Sequence, residues 1–352
     1  PGTIDRGNTV FQSLPWLAAF LLGGALRQAS FSSRGVRLLW GAILVHGLIV
    51  AAVGVYFHIT SRYLVLGVFR DPYGYHFSSF IYRNHWAAYV MILVTLAIGF
   101  SFSSLRRWST AHGRLDAVLP GLCVALLLAL TLPIPGSRSG VFVVALLLAG
   151  AFARMGWILW RARSKRLASP ALRLGVLGLI IFLGVTAGIG ASFNRDEIRK
   201  HWGRTVSQFQ GLVNGQDDLR VKFARDTVAM AADRPVWGWG VGSFKLIFPM
   251  YQGDYLGVIQ GKRHVVHHAH NDWAEMWAEI GVLGLLVMLT PVAIRLRDIA
   301  CTRSVLSRWG GGAVLLILAY ALVDFPFHNP AVLFLWVTIL CTAAPVLRLR
   351  AG

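Results

Sequence analysis

The sequence predicts an all-α integral membrane protein, and three observations lead to that fold class. Of the 352 residues, 56% are hydrophobic and only 14% are charged, against about a quarter charged in an average soluble domain. The apolar residues form blocks close to the ~20 residues that cross a hydrocarbon core. These blocks are too long for the ~10-residue alternating strands of a membrane barrel. Helices are therefore expected, because backbone polar groups in lipid must pair internally.

Nine apolar blocks are candidate membrane spans. They cover residues 14–26, 36–57, 85–104, 115–132, 140–160, 172–193, 274–296, 311–325 and 331–346. The spans divide the chain into a bundle of six spans (1–193), a long polar loop (194–273) and a bundle of three spans (274–352). Within the loop, residues 193–212 and 219–232 space apolar residues at three and four, which predicts a partly helical cap.

Positively charged residues collect in alternate connections. One side of the predicted membrane receives Arg27, Arg34, Arg37, Arg106, Arg107, Arg114, Arg154, Arg161, Arg163, Lys165, Arg166, Arg173, Arg295, Arg297, Arg303, Arg308, Arg348 and Arg350. Basic residues in short loops mark the cytoplasmic side. We therefore expect a cytoplasmic C-terminus, an external Pro1 and an external long loop.

The net charge of +19 does not indicate a nucleic-acid partner, because about half of the 34 basic residues belong to these connections. The three cysteines are scattered and form neither a disulfide framework nor a CxxC metal pair. The chain does not begin with Met, and we expect further residues upstream.

The densest polar motif is His264-Val-Val-His267-His268-Ala-His270-Asn271-Asp272-Trp273, where the long loop returns to the membrane. Three interpretations are open. The motif could bind a metal, since His268 and Asp272 are four apart and imidazole suits zinc. A histidine could act as a general base near neutral pH. Asn271 or Asp272 could cap the following helix, with Glu275 completing the cap.

Arginines near the ends of the predicted spans form the second candidate set. Arg83 lies in Tyr82-Arg-Asn-His85, Arg138 in Ser137-Arg-Ser-Gly140, and Arg220 within the long loop. Arginine binds diphosphate oxygens bidentately. For any single arginine, interfacial snorkelling or a salt bridge is the commoner role.

Three weaker motifs are assigned structural roles. Gly238-Trp-Gly240-Val-Gly242 resembles a nucleotide loop but follows no predicted strand, so a turn after Pro235 is expected. Asp217-Asp218 is interpreted as a solvated turn. Asp324 and His328 flank prolines on the outer side, where they could line a cavity or only terminate helices.

Four motifs together resemble a known family. In chain order they are Tyr82-Arg-Asn-His-Trp-Ala-Ala-Tyr89, Ser137-Arg-Ser-Gly140, Leu219-Arg220 with the segment from Asp233 to Phe244, and the segment from His268 to Gly284. They are similar to motifs of the bacterial O-antigen ligase/polymerase family. The last motif, His-Asn followed after nine residues by Gly-x-x-Gly, is the most specific.

The resemblance implies an architecture of the GT-C glycosyltransferase type in the bacterial inner membrane, with its active site facing the periplasm. It implies a metal-independent transferase without cofactor, which moves a glycan from undecaprenyl diphosphate to a hydroxyl of lipid A-core. His270 is the expected catalytic base, and Arg220 and Arg138 are the expected diphosphate ligands. The expected supporting residues are Arg83, Asn84, His85, His268 and Asn271. Glu275 or Glu279 could orient the histidine or pair with an arginine.

One departure bears on the acceptor. Lipopolysaccharide ligases often follow the final glycine with Thr or Ser, whereas Leu285 stands here. A polymerase that extends lipid-linked glycan, or a ligase acting on a protein hydroxyl, therefore stays open. A polysaccharide or lipid transporter is the alternative of a different class, and the chain lacks the internal repeat that transporters favour.

Overall fold

The computed structural model describes residues 3, 5–29, 31–60, 64–71, 76–109, 115–161, 219–255, 258–259, 262–263 and 266–344. The longer helices are α1 (Arg6–Gln28), α2 (Ser33–Thr60), α3 (Arg83–Ser109), α4 (Leu119–Ala129), α5 (Arg138–Arg161), α6 (Leu219–Asp233), α8 (Asp272–Cys301), α9 (Val305–Tyr320) and α10 (Pro330–Thr342). A four-residue helix, α7 (Phe244–Ile247), and 3-10 turns at Leu115–Val118, Phe248–Met250 and Pro326–His328 complete the helical elements. Two antiparallel pairs of two-residue strands are β1 (Leu64–Val65) with β2 (Phe69–Arg70) and β3 (Val258–Ile259) with β4 (Lys262–Arg263).

Eight of the nine predicted spans coincide with these helices, and the span predicted at 172–193 lies outside the described residues. By length and composition, α1, α2, α3, α5 and α8 can each cross a membrane, whereas α4, α9 and α10 are shorter. The chain is thus a multi-pass helical membrane protein. The division into three regions stays a prediction.

Several predicted boundaries were wrong, because polar caps and turns set the ends of the helices. The Asp5 side chain accepts from Asn8 N and starts α1 eight residues before the predicted span. Ser304 caps α9 in the same way, so that helix begins at Val305 rather than at residue 311. The α9 helix ends at Tyr320, and the segment predicted to complete it forms a polar turn instead.

Helix α3 is the centre of the bundle. It packs against α2, α4, α5 and α9, and its residues from Trp86 to Ile98 are buried. The closest approach is at Gly121 of α4, where a Cβ would lie 2.5 Å from the Ala97 carbonyl oxygen. Small residues allow helix backbones to approach this closely in membranes.

The predicted basic connections meet at one end of the bundle. Arg106 at the end of α3 donates to the Arg303 carbonyl between α8 and α9 (2.9 Å). Arg295 near the end of α8 donates to the carbonyls of Cys341 and Ala344 after α10 (both 2.9 Å). These connections therefore share one face, which the positive-inside rule predicts to be cytoplasmic.

The described part of the long loop packs on the opposite end. Helix α6 confirms the amphipathic helix predicted at 219–232 and lies against α8. The stretch predicted at 193–212 lies outside the described residues. Asn8 of α1 donates to the Gly242 carbonyl (2.7 Å), so the start of α1 is also at this end.

The long loop contacts α8 at a kink in that helix, at Gly281. Gly281 has φ +65°, and a Cβ there would lie 2.2 Å from the Val236 carbonyl oxygen. The kink frees carbonyls of α8, which accept from Trp239 N (2.9 Å) and Gly240 N (2.8 Å). The Gly238-Trp-Gly240 motif is therefore a turn that docks on the kinked helix, as predicted from Pro235.

Candidate functional site

Five chain segments meet at the end of the bundle opposite the basic connections. They are the start of α3, the turn before α5, the start of α6, residues 266–275 and the connection from Tyr320 to His328. Helix ends supply most of the polar side chains, because helices entering from one direction present their N-termini at the same face. The site therefore forms only when the bundle is assembled.

His270 is held in an unusual backbone conformation. Its φ is +54°, which is rare for a residue other than glycine, and strained residues of this kind collect at functional sites. Its ring lies between Phe223 of α6 (centroids 6.2 Å apart) and Phe325 (5.0 Å). The side chain is 25% exposed, so it remains accessible from one direction.

Asp324 faces His270 from the connection after α9. Its Oδ1 lies 3.9 Å from His270 Nδ1, which is within ion-pair range but too long for a hydrogen bond. The carboxylate is 1% exposed. It accepts hydrogen bonds from Asn84 Nδ2, the Tyr320 hydroxyl (3.3 Å) and Phe325 N (3.0 Å).

Charge interactions keep Asp324 ionised. Burial alone would raise the pKa of the Asp324 carboxyl, but its interaction with His270 and the charge of Arg220 outweigh burial and lower that pKa. Burial and the same carboxylate raise the pKa of the Tyr82 hydroxyl. A buried anion beside a partly exposed imidazole resembles the orienting carboxylate of a catalytic histidine.

The other two histidines of the site share the carboxylate of Glu275. His268 Nδ1 lies 3.0 Å and His328 Nε2 lies 3.1 Å from Glu275 Oε1. His328 Nδ1 is 2.8 Å from Asp272 Oδ1. Burial alone would lower the pKa of His328, but the flanking Glu275 and Asp272 carboxylates outweigh it and raise that pKa well above its ordinary value. This arrangement holds the half-buried His328 imidazole between two buried carboxyl groups.

The predicted helix cap is confirmed. Asn271 is the N-cap of α8, and its side chain accepts from Ala274 N (3.0 Å). Glu275 Oε2 accepts from Ala269 N (2.7 Å), so it fixes the segment that precedes the helix. Glu279 does not reach the histidines and accepts from Phe244 N instead (3.0 Å).

The three arginines stand at helix starts next to residues of the same cluster. Arg220 Nη1 donates to the Val323 carbonyl (3.2 Å), beside Asp324. Arg83 begins α3 directly before Asn84, and Arg138 begins α5 directly after Ser137. The Ser137 hydroxyl donates to Asn84 Oδ1 (2.8 Å), which joins these two helix starts. All three arginines are half-buried.

One group of side chains in the described residues could hold a metal ion. His268, Glu275 and His328 each place one ligand atom within 4.8 Å of the others. The spacing argument had paired His268 with Asp272, but Asp272 contacts His328 and Phe327 N instead. In the structure, His268 hydrogen-bonds to Glu275 and His328 pairs with both Glu275 and Asp272, so charge pairing within the cluster accounts for these contacts.

The structure brings most of the predicted residues together. His85 Nε2 lies 3.1 Å from the Phe325 carbonyl, so His85 supports the turn that carries Asp324. His264 lies outside the described residues. The sequence left open whether Asp324 and His328, which stand among prolines in a short outer connection, line a cavity or only terminate helices, and the structure places both in the cluster. An acidic and an imidazole side chain in such an apolar surrounding were the signal that could have identified them.

The fold and the site define a multi-pass helical membrane protein with a buried charged cluster at one end of its bundle. Residues 123–289 match the family model described as O-antigen ligase, and this match confirms the resemblance to the O-antigen ligase/polymerase family. Members of this family are glycosyltransferase-like enzymes. The matched segment contains Arg138, Arg220 and His270, whereas Asn84 and Asp324 lie outside it. A comparison with curated proteins gives no match.

Proposed function

We propose that this protein transfers a glycan from undecaprenyl diphosphate to a hydroxyl of lipid A-core on the periplasmic face of the inner membrane. The observation that carries the proposal is the pairing of the strained, partly exposed His270 with the buried Asp324 beside Arg220. The family match supports a reaction of the ligase/polymerase type. The donor, the acceptor and the residue roles are part of the proposal.

In the proposed reaction, the acceptor oxygen attacks the anomeric carbon of the donor sugar. The bond from that carbon to the diphosphate oxygen breaks, and undecaprenyl diphosphate leaves with the bonding electrons. The acceptor proton passes to His270. Direct displacement inverts the anomeric centre. Because the donor is already activated, the reaction needs no nucleotide and no redox cofactor.

His270 is the proposed base because its two ring nitrogens are in different surroundings. Nδ1 faces Asp324, which leaves Nε2 to take the proton of the acceptor. A neighbouring carboxylate fixes the ring and stabilises the imidazolium that forms. Tyr82 and Phe325 stack at 4.9 Å and close one side of this region.

Charge develops on the diphosphate as the bond breaks, and arginines are suited to stabilise it. Arg220 and Arg138 are the proposed ligands, with Arg83 near the same helix ends. Asn84, His85, His268 and Asn271 support them by fixing the turns and helix starts of the site. The reaction is proposed to be metal-independent, with the arginines taking the role of a metal ion.

The test is conversion of lipid-linked glycan by the purified protein. With lipid A-core added, we expect glycan on lipid A-core and free undecaprenyl diphosphate. A transporter would leave the lipid-linked glycan unchanged, and that result would reject an enzymatic function.

A polymerase is the second candidate, and Leu285 after the final Gly284 favours it. The leaving group and the base would be the same, and only the acceptor would differ. Longer lipid-linked chains in the absence of lipid A-core would identify a polymerase. Transfer that depends strictly on lipid A-core would identify a ligase.

A further inference from the structure

A long apolar groove lies between α1, α8 and α10. Its volume is about 380 Å³. Three aromatic residues, Trp16, Trp273 and Phe327, are among its lining residues, and two arginines, Arg27 and Arg295, lie toward the end with the basic connections. Beyond the kink, α8 rises about 15 Å from Leu285 to Arg295, which is half the thickness of a hydrocarbon core.

The two arginines of the groove have hydrogen-bonding capacity to spare. Arg27 is exposed in the last turn of α1, and within the described residues it has no hydrogen bond or ion pair. Arg295 is 3% exposed. Its Nη atoms are paired with Asp298 and with the two carbonyls after α10, but its Nε has no partner in the described part of the chain. A buried donor without a partner is costly.

The guanidinium groups of Arg27 and Arg295 lie at the same end of the groove. Both line the groove together with Cys341, whose carbonyl accepts from Arg295 Nη2 (2.9 Å). Asp298 offsets one of the two charges, so this end keeps a net positive charge. An anionic oxygen would satisfy the Arg295 Nε–H and pair with Arg27.

We propose that the groove binds an anionic phospholipid of the leaflet on the side of the basic connections. Its phosphate contacts Arg27 and the Nε–H of Arg295, and an acyl chain lies along Leu285, Met288 and Val337. Basic pockets between transmembrane helices on the cytoplasmic side are suited to anionic head groups. This lipid is distinct from the proposed isoprenoid donor, whose diphosphate must lie at the opposite end, near Arg220.

The experiment is native mass spectrometry of the purified full chain with added dioleoyl phosphatidylglycerol or dioleoyl phosphatidylcholine. These lipids share their acyl chains and differ in net charge. We expect the phosphatidylglycerol complex to be favoured roughly fivefold over the phosphatidylcholine complex. This is about the gain in affinity for an anionic lipid that one arginine near a membrane surface provides. The variant Arg27→Ala should lose this preference. Arg154→Ala, which removes an exposed arginine of α5 away from the groove, should keep it.

A second variant tests the acyl-chain site. A Cβ at Gly24, in the groove, would meet nothing within 4 Å, so Gly24→Phe can fill the groove without a clash at its Cβ. It should remove binding of both lipids, whereas Gly150→Phe, at an equally open glycine of α5, should not. Equal binding of both lipids to the wild type, or a preference that survives both groove variants, would overturn the proposal. Binding of undecaprenyl phosphate that Gly24→Phe blocks and Arg27→Ala leaves unchanged would also overturn it.

Discussion

At the scale of single residues, Asp324 is the centre of the site. It joins the start of α3 through Asn84, the end of α9 through Tyr320 and the loop through His270. Three separate parts of the chain are therefore fixed by one buried carboxylate. The charge of Asp324 matters as much as its hydrogen bonds, because it faces Nδ1 of His270 and leaves Nε2 as the proposed base.

Replacing Asp324 with Asn should remove the charge and keep the size of the side chain. We expect transfer to fall by roughly 100-fold or more, as for other histidines that lose their orienting carboxylate. The control is Asp233→Asn, which removes an exposed carboxylate that hydrogen-bonds to Tyr251. Near-normal transfer by folded Asp324→Asn protein would reject the interaction with His270.

His328 should make stability depend on pH. Its folded-state pKa is raised well above the ordinary value, so its contribution is complete below about pH 6.5, the unfolded pKa. That contribution is lost as pH rises through the folded pKa. In detergent, the Tm of the wild type should therefore fall above pH 6.5, and His328→Gln should have a lower Tm and a flatter dependence. Parallel curves for the two proteins would contradict the charge pairing of His328 with Asp272 and Glu275.

At the scale of elements, the kink in α8 shows what sequence patterns could and could not predict. The apolar block at 274–296 predicted one helix, and a helix is present. The break at Gly281 depends on residues 235–240, which pair with the freed backbone groups 39 to 47 positions away in the chain. No local pattern contains that information. The Gly-x-x-Gly motif identified Gly281 as a notable position, but it did not predict the kink there.

The variant Gly281→Ala tests the kink. The positive φ alone should cost about 1–3 kcal/mol, and the Cβ would also clash with Val236 O. We expect a clear loss of Tm together with protease sensitivity of the segment 235–244. Gly312→Ala is the matched control, because a Cβ at that helical glycine of α9 meets nothing within 4 Å. It should be neutral or slightly stabilising. Equal effects of the two variants would reject the role of Gly281.

At the scale of the whole molecule, hydropathy was sufficient for the class, the approximate positions of the helices and the grouping of the basic connections. It was insufficient for helix ends, which Asp5 and Ser304 set through caps. The resemblance predicted His270 and Arg220 as site residues, and the structure places both beside Asp324. The role of Asp324 could not be predicted from the sequence, because it depends on packing between α3 and α9.

The orientation in the membrane can be tested with single cysteines. Cys301, at the end of α8, is exposed and is predicted to be cytoplasmic. With Cys123 and Cys341 replaced by Ala, a membrane-impermeant maleimide should label Cys301 only after the membrane is disrupted. In a variant without native cysteines, His267→Cys at the exposed loop position should be labelled in intact spheroplasts. The reverse pattern would invert the topology and place the site in the cytoplasm.

The most direct test of the central claim compares His270→Ala with His267→Ala in the transfer of lipid-linked glycan to lipid A-core. His267 is an exposed histidine three positions away, so its loss controls for changes in the segment. Both variants should be folded and inserted. The account predicts that His270→Ala abolishes transfer and that His267→Ala retains nearly all of it. Near-normal transfer by a folded His270→Ala protein would contradict the assignment of the catalytic base and the proposed site.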